Sequence, residues 1–171
     1  KQLKAGGKKL VNHYVDVIEK YIESIKSVTR YLAVDGYFMK KEFINPLLKQ
    51  GLHIITKARS DANLMYLFKG KQKSGRGRRK LYDGKIDIRK IDKRRLPCCY
   101  SDDHVRVYAG AVYCVLLKQV ALTAFVYYEN KEKPEIIICT DVGIEVMTMC
   151  KYYGLRFQVE FLIRDAKQHA G

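Results

Sequence analysis

The chain has 171 residues, 47% of them hydrophobic, with 13 Tyr and 6 Phe, enough to build a core and too many for wholesale disorder. Its 33 Lys+Arg against 18 Asp+Glu give a net charge of +15, which points to a polyanionic partner. No apolar run approaches the roughly 20 residues that span a bilayer, and the opening Lys1-Gln2-Leu3-Lys4 has no signal-peptide character, so no membrane helix is expected.

The first predicted element is a helix over residues 9–27, because Leu10, Tyr14, Val17, Ile18, Tyr21, Ile22 and Ile25 recur at three- and four-residue spacing. The run Tyr31-Leu32-Ala33-Val34-Asp35-Gly36-Tyr37-Phe38 reads as a short buried strand with Asp35 at its C-terminal tip. Residues 40–49 form a second helix with Phe43, Ile44, Leu47 and Leu48 inward. Pro46 either kinks this helix or marks a restart, and Gly51 stops it. His53-Ile54-Ile55-Thr56-Lys57-Ala58-Arg59 reads as another strand. Helix, strand, helix, strand implies two parallel strands joined by a crossover helix.

Beyond residue 59 the composition shifts. Residues 69–95 hold 13 Lys/Arg and three Asp. Within them, residues 73–80 have no apolar side chain and two glycines, and predict a mobile loop. Arg76, Arg78, Arg79 and Lys80 are candidates for nucleic-acid phosphate contacts, with residues 89–95 a weaker one; the alternative is a solvated loop in a basic protein. Strand-like segments fall at 64–68, 85–91, 105–108, 111–117, 120–128 and 135–139, and residues 130–134 have hairpin-turn composition. Residues 61–139 therefore read as an antiparallel β insertion. Its Tyr-rich stretch, 108–128, fills the inner face of that sheet or stacks on bases.

A last helix spans residues 142–168, capped by Thr140 or Asp141, with Gly154 a weak point inside it. Leu155, Val159, Leu162, Ile163 and Ala166 share one side, and Tyr153, Arg156, Glu160, Arg164 and Lys167 an adjacent stripe. Helical spacing alone makes that stripe a solvated face of ion pairs, worth a few tenths of a kcal/mol each. The five cysteines are odd in number and lack a CxxC spacing, which favours reduced thiols over a disulfide framework or a zinc site. No His stands at a suggestive spacing from a Cys, and Asp102-Asp103 reads as a solvated turn.

The spacing Tyr153, Arg156, Glu160, Lys167 reproduces a Y-x2-R-x3-E-x6-K signature. With Tyr152-Tyr153-Gly154-Leu155-Arg156 around it and Val34-Asp35-Gly36-Tyr37-Phe38 upstream, it resembles the bacterial insertion-sequence transposases with a DDE active site. The resemblance covers nearly the whole chain. It implies an α/β fold with a ribonuclease-H-like core in residues 1–60 and 140–171, interrupted by the β insertion of 61–139. It implies that Asp35 and Glu160 are catalytic and ligate two Mg2+ or Mn2+ ions, and that Tyr153, Arg156, Lys167 and Arg164 grip DNA phosphates. Hard divalent ions want carboxylate oxygens, and an Arg fork suits a phosphate. Double-stranded DNA, a homodimer in a synaptic complex and a bacterial cytoplasmic, nucleoid-associated location are the partners and place it implies. The family's first Asp lies on a strand before the opening helix, and no strand-borne acid precedes Asp35 here. The expectation is a fragment of a longer transposase, lacking the N-terminal strands and inactive alone. A non-catalytic DNA-binding module derived from a transposase, and a basic protein-interaction domain, are the alternatives.

Overall fold

The computed structural model describes residues 4–5, 8–72, 75 and 77–170. Two short strands, β1 (Lys4–Ala5) and β2 (Lys8–Lys9), pair ahead of α1 (Leu10–Lys20) and α2 (Ile22–Lys26). The single helix expected over 9–27 is thus broken at Tyr21, whose carbonyl accepts the Ile25 N–H while its own N–H reaches Ile18. Next come β3 (Tyr31–Val34), a 3-10 turn at Gly36–Phe38, α3 (Lys41–Lys49) and β4 (His53–Ala58). As the alternation implied, β3 and β4 are parallel, with α3 between them. Pro46 is accommodated inside α3, and Gly51, at φ 86°, ends it.

Six further strands follow: β5 (Leu64–Leu67), β6 (Tyr82–Lys85), β7 (Cys98–Ser101), β8 (Val105–Cys114), β9 (Gln119–Tyr128) and β10 (Glu135–Cys139). They continue the sheet begun by β3 and β4, in the order β3-β4-β10-β9-β8-β5-β6, with β7 also paired to β8. Only β3–β4 is parallel among the pairs of this sheet, so the fold is mixed α/β with a mostly antiparallel sheet. The two segments expected at 105–108 and 111–117 are one strand running through Gly110, where an added Cβ would meet Leu96 at 3.0 Å. The strand expected at 85–91 is instead the end of β6 followed by turns. There the Asp87 and Asp92 carboxylates accept the Arg89 and Arg94 N–H groups, a local alternative to ladder pairing.

The sheet is buried on both faces because its central strands run through without an exposed position, β9 from Ala121 to Val126 and β10 from Ile136 to Cys139. Ile136 and Ile138 of β10 join Ile54, Phe125, Phe43, Ile44 and Leu47 beneath α1 and α3. Ile137 and Cys139, one residue out of step, join Ile55, Leu122, Ala124, Met149 and Tyr153 beneath α4 (Val146–Ala170) on the opposite face.

The last helix departs from expectation at its start. It starts at Val146, capped by Glu145, whose carboxylate accepts the Met147 and Thr148 N–H groups, and not by Thr140 or Asp141. On the apolar side of this helix Leu155 is 43% and Leu162 68% exposed. Twenty-five residues at about 1.5 Å each outreach the sheet below.

Asp141 has a different task. It accepts the Gly143 N–H at 2.8 Å and the Tyr31 hydroxyl at 2.6 Å, tying the loop before α4 to β3. The hydrogen bond to Asp141, together with burial, pushes Tyr31 up to about 12, and the same bond and the Gly143 N–H hold Asp141 below its usual 3.8. A depressed carboxyl stabilises the fold above its ordinary pKa and loses that contribution as pH falls through the folded value. Tyr31→Phe is expected to cost about 1 kcal/mol at neutral pH. Urea unfolding should show the gap to the unaltered chain at pH 7 and its narrowing as pH falls below the ordinary carboxylate range and Asp141 protonates.

Candidate active site

Asp35 caps the turn that follows β3, and Tyr37, Thr56 and the close approach of Gly36 to Lys57 fix its position. Its Oδ1 accepts the Tyr37 N–H at 2.8 Å. Its backbone carbonyl accepts the hydroxyl of Thr56, a buried β4 residue, at 3.1 Å. Gly36 lies so close to β4 that an added Cβ would stand 2.8 Å from the Lys57 carbonyl oxygen. Beside it the Lys40 ammonium sits over the Tyr37 ring at 3.5 Å. The carboxylate, 57% exposed, is therefore presented on a fixed backbone.

Glu160 comes from α4, one turn beyond Arg156. The Arg156 Nη1 donates to Glu160 Oε1 and lies 3.8 Å from Asp35 Oδ2. Two acids 125 positions apart in the chain thus contact one guanidinium nitrogen. Arg156 is held from both sides, its guanidinium carbon 5.5 Å from the Tyr153 ring centre and 4.5 Å from that of Phe157. Burial alone would make it easier to deprotonate, but the hydrogen bonds to Glu160 and Tyr153 outweigh this and raise its pKa. Asp35, Arg156 and Glu160 line a cleft of about 460 Å³ with Ala33, Val34, Phe38, Tyr152 and Leu155.

The other residues of the helix stripe divide. Tyr153 is 3% exposed, and burial pushes its hydroxyl pKa up. Buried in this way, its ring braces the Arg156 guanidinium. Arg164 stacks on Phe161 at 4.6 Å, exposed, one turn beyond Glu160. Lys167 lies further along α4, and its side chain is outside the described residues, as is all of Arg76. Arg78, Arg79 and Lys80 are exposed on the β5–β6 connection, at the sheet edge opposite β3. The structure therefore does not bring Arg78, Arg79 or Lys80 to the acid pair. That loop is clamped at its base by Gln72, whose side chain bonds the Lys80 carbonyl and N–H, and Lys80 pairs with Asp83 at 3.1 Å.

Other candidates have structural roles. The Asp102 carboxylate accepts the His104 and Val105 N–H groups and the Tyr100 hydroxyl. Burial pushes the Cys139 and Cys150 thiols up to about 11, which leaves them un-ionised at neutral pH. No group of three or more His, Cys, Asp or Glu placed to hold a metal occurs among the described residues. Nor is any described helix long and apolar enough to cross a membrane.

Sequence reading missed a second cleft, of about 520 Å³, that shares Asp35 as a wall and is lined by Lys57, Arg59, Lys131, Lys133 and Glu135 among others. Its only signal was Lys57 and Arg59 in alternation at the end of a strand, and two lysines in a presumed hairpin turn.

Comparison with family models, curated proteins and solved structures finds no match to this chain.

Proposed function

We propose that the chain is part of a DDE-type transposase of the insertion-sequence class, with a ribonuclease-H-like core, acting on double-stranded DNA. The observation that carries this reading is the meeting of Asp35 and Glu160 at the Arg156 guanidinium, in a protein of net charge +15. The β3–α3–β4 unit, with one acid at the tip of β3 and the other on a helix covering the opposite sheet face, supports it.

The donor set suits a hard divalent cation. Asp35 and Glu160 offer carboxylate oxygens, each side chain 57% exposed, and a cation already shares them in the form of Arg156. These two residues would hold Mg2+ or Mn2+; such ions, when bound, polarise a phosphodiester and help a water or 3′-hydroxyl to attack it. Arg156 would orient a phosphate at the cleft, and the apolar wall of Ala33, Val34, Phe38 and Leu155 would limit water there. Two carboxylates are fewer than the three that the resemblance implies. Strand cleavage and strand transfer then need a further acid, and this chain alone is expected to bind metal weakly and not to cleave.

The test is Mn2+ titration followed by calorimetry, alongside retention of duplex DNA. A Kd on the order of 1 mM is expected, lost in Asp35→Asn and in Glu160→Gln. Unchanged Mn2+ binding in both variants would remove the metal site. DNA binding without any Mn2+ binding would instead identify a non-catalytic DNA-binding module.

A further inference from the structure

We propose that the cleft on the other flank of Asp35 is a second phosphodiester-binding subsite, built from the end of β4 and the β9–β10 turn. It rests on the reading of the chain as a DNA-processing protein and specifies where the strand goes after it passes the acid pair.

The charges around this cleft are sorted. Lys57, Arg59, Lys131 and Lys133 line it against Asp35 and Glu135. Glu132, between the two turn lysines in sequence, is exposed and does not line it. Pro134 is buried, and its fixed φ anchors the turn that carries both lysines. Glu135 acts as a staple: its Oε1 lies 3.3 Å from Lys57 Nζ and 2.7 Å from Lys131 Nζ. One carboxylate between two ammonium groups leaves a net positive charge and holds both cations at the cleft wall. The Lys131 ammonium is further positioned 4.2 Å from the Tyr128 ring centre. Arg59 makes a two-point pair with Asp61, Nε to Oδ1 at 3.0 Å and Nη2 to Oδ2 at 3.1 Å, on largely exposed side chains, so a phosphate at the cleft competes with that acid for the same fork.

The location gives the subsite its meaning. Asp35 is a wall of both clefts, with Arg156 on one flank and this cationic cluster on the other. A strand laid across Asp35 would carry phosphates on each side of the one at the acid pair, and gripping both sides fixes its register. Arg78, Arg79 and Lys80, on the connection to the other sheet edge, do not serve that purpose.

The experiment compares two double variants of equal charge change in the whole chain, Lys131→Glu with Lys133→Glu, and Lys20→Glu with Lys26→Glu on the opening helices. Duplex DNA binding is measured by fluorescence anisotropy across a salt series. The first pair is expected to make the slope of log K against log salt shallower by about 2, from two lost phosphate contacts, and to weaken binding at least tenfold relative to the second. Lys131→Arg with Lys133→Arg should retain the slope. Equal slopes for the two charge-reversed pairs would overturn the subsite and leave the wider reading standing; failure of the unaltered chain to bind DNA would overturn both. Lysine acylation of the unaltered chain, read by mass spectrometry, gives a check free of folding effects. DNA should protect Lys133 and leave Lys20 reactive, and equal reactivity of Lys133 with and without DNA would overturn the subsite.

Discussion

Replacing Arg156 by glutamine should tighten Mn2+ binding and weaken DNA binding in the same protein. The guanidinium touches both Asp35 and Glu160, so it occupies the electrostatic position that a divalent cation would take. Removing its charge leaves two carboxylates facing each other without that counter-charge. At an effective dielectric constant near 20, like charges about 5 Å apart repel by roughly 3 kcal/mol, and half-exposed groups feel a fraction of that. A divalent ion relieves this repulsion, so its affinity should rise about five- to tenfold at neutral pH. DNA loses a charge-assisted contact instead, worth about 1.5–3 kcal/mol, or roughly ten- to a hundredfold. Calorimetry with Mn2+ and anisotropy with duplex DNA read the two effects separately. If Arg156 were only a brace between helix and strand, the substitution would lower thermal stability and move both affinities the same way. The opposed shifts are what its position between acids and cleft requires.

Local pattern made the parts of this site legible, and pairing across the sheet decided the rest. An acid and a glycine closing an apolar run placed Asp35 at a strand tip, and the i,i+4 spacing placed Arg156 and Glu160 on one helix face. Their convergence depended on α4 crossing the sheet over β3 and β4, which no local signal gives. The strands missed are those formed by their neighbours: β6, Tyr82-Asp83-Gly84-Lys85, has little strand propensity and exists by pairing with β5. Exposed β7 is likewise held by β8. The apolar side of α4 shows that helical periodicity gives a face without giving how far the sheet beneath it extends: Leu155 and Leu162 are exposed. Lys131 and Lys133 read as turn residues because their cleft requires β4, the other side of an antiparallel pair, to complete it.

Gly36→Ala is expected to damage the site although it adds a single methyl group. Gly36 lacks a positive φ, so the obstacle is contact and not backbone preference. The new Cβ would stand 2.8 Å from the Lys57 backbone oxygen, and no rotamer change relieves a clash with main chain. Either β4 moves away or the turn carrying Asp35 swings out. The second course breaks the 3.1 Å bond from the buried Thr56 hydroxyl to the Asp35 carbonyl and turns the carboxylate off Arg156. Overpacking costs about 1–3 kcal/mol, which for a chain of this size lowers Tm by roughly 2–12 °C. Loss of Asp35 from the pair should abolish measurable Mn2+ binding. Gly154→Ala is the matching control: nothing lies within 4 Å of its added Cβ, and alanine gains about 1 kcal/mol over glycine inside a helix. A melt in which Gly36→Ala falls while Gly154→Ala rises, with Mn2+ binding lost only in the first, ties the metal site to that close approach of turn and strand. Retention of full Mn2+ affinity in Gly36→Ala would show that the placement of Asp35 does not depend on it.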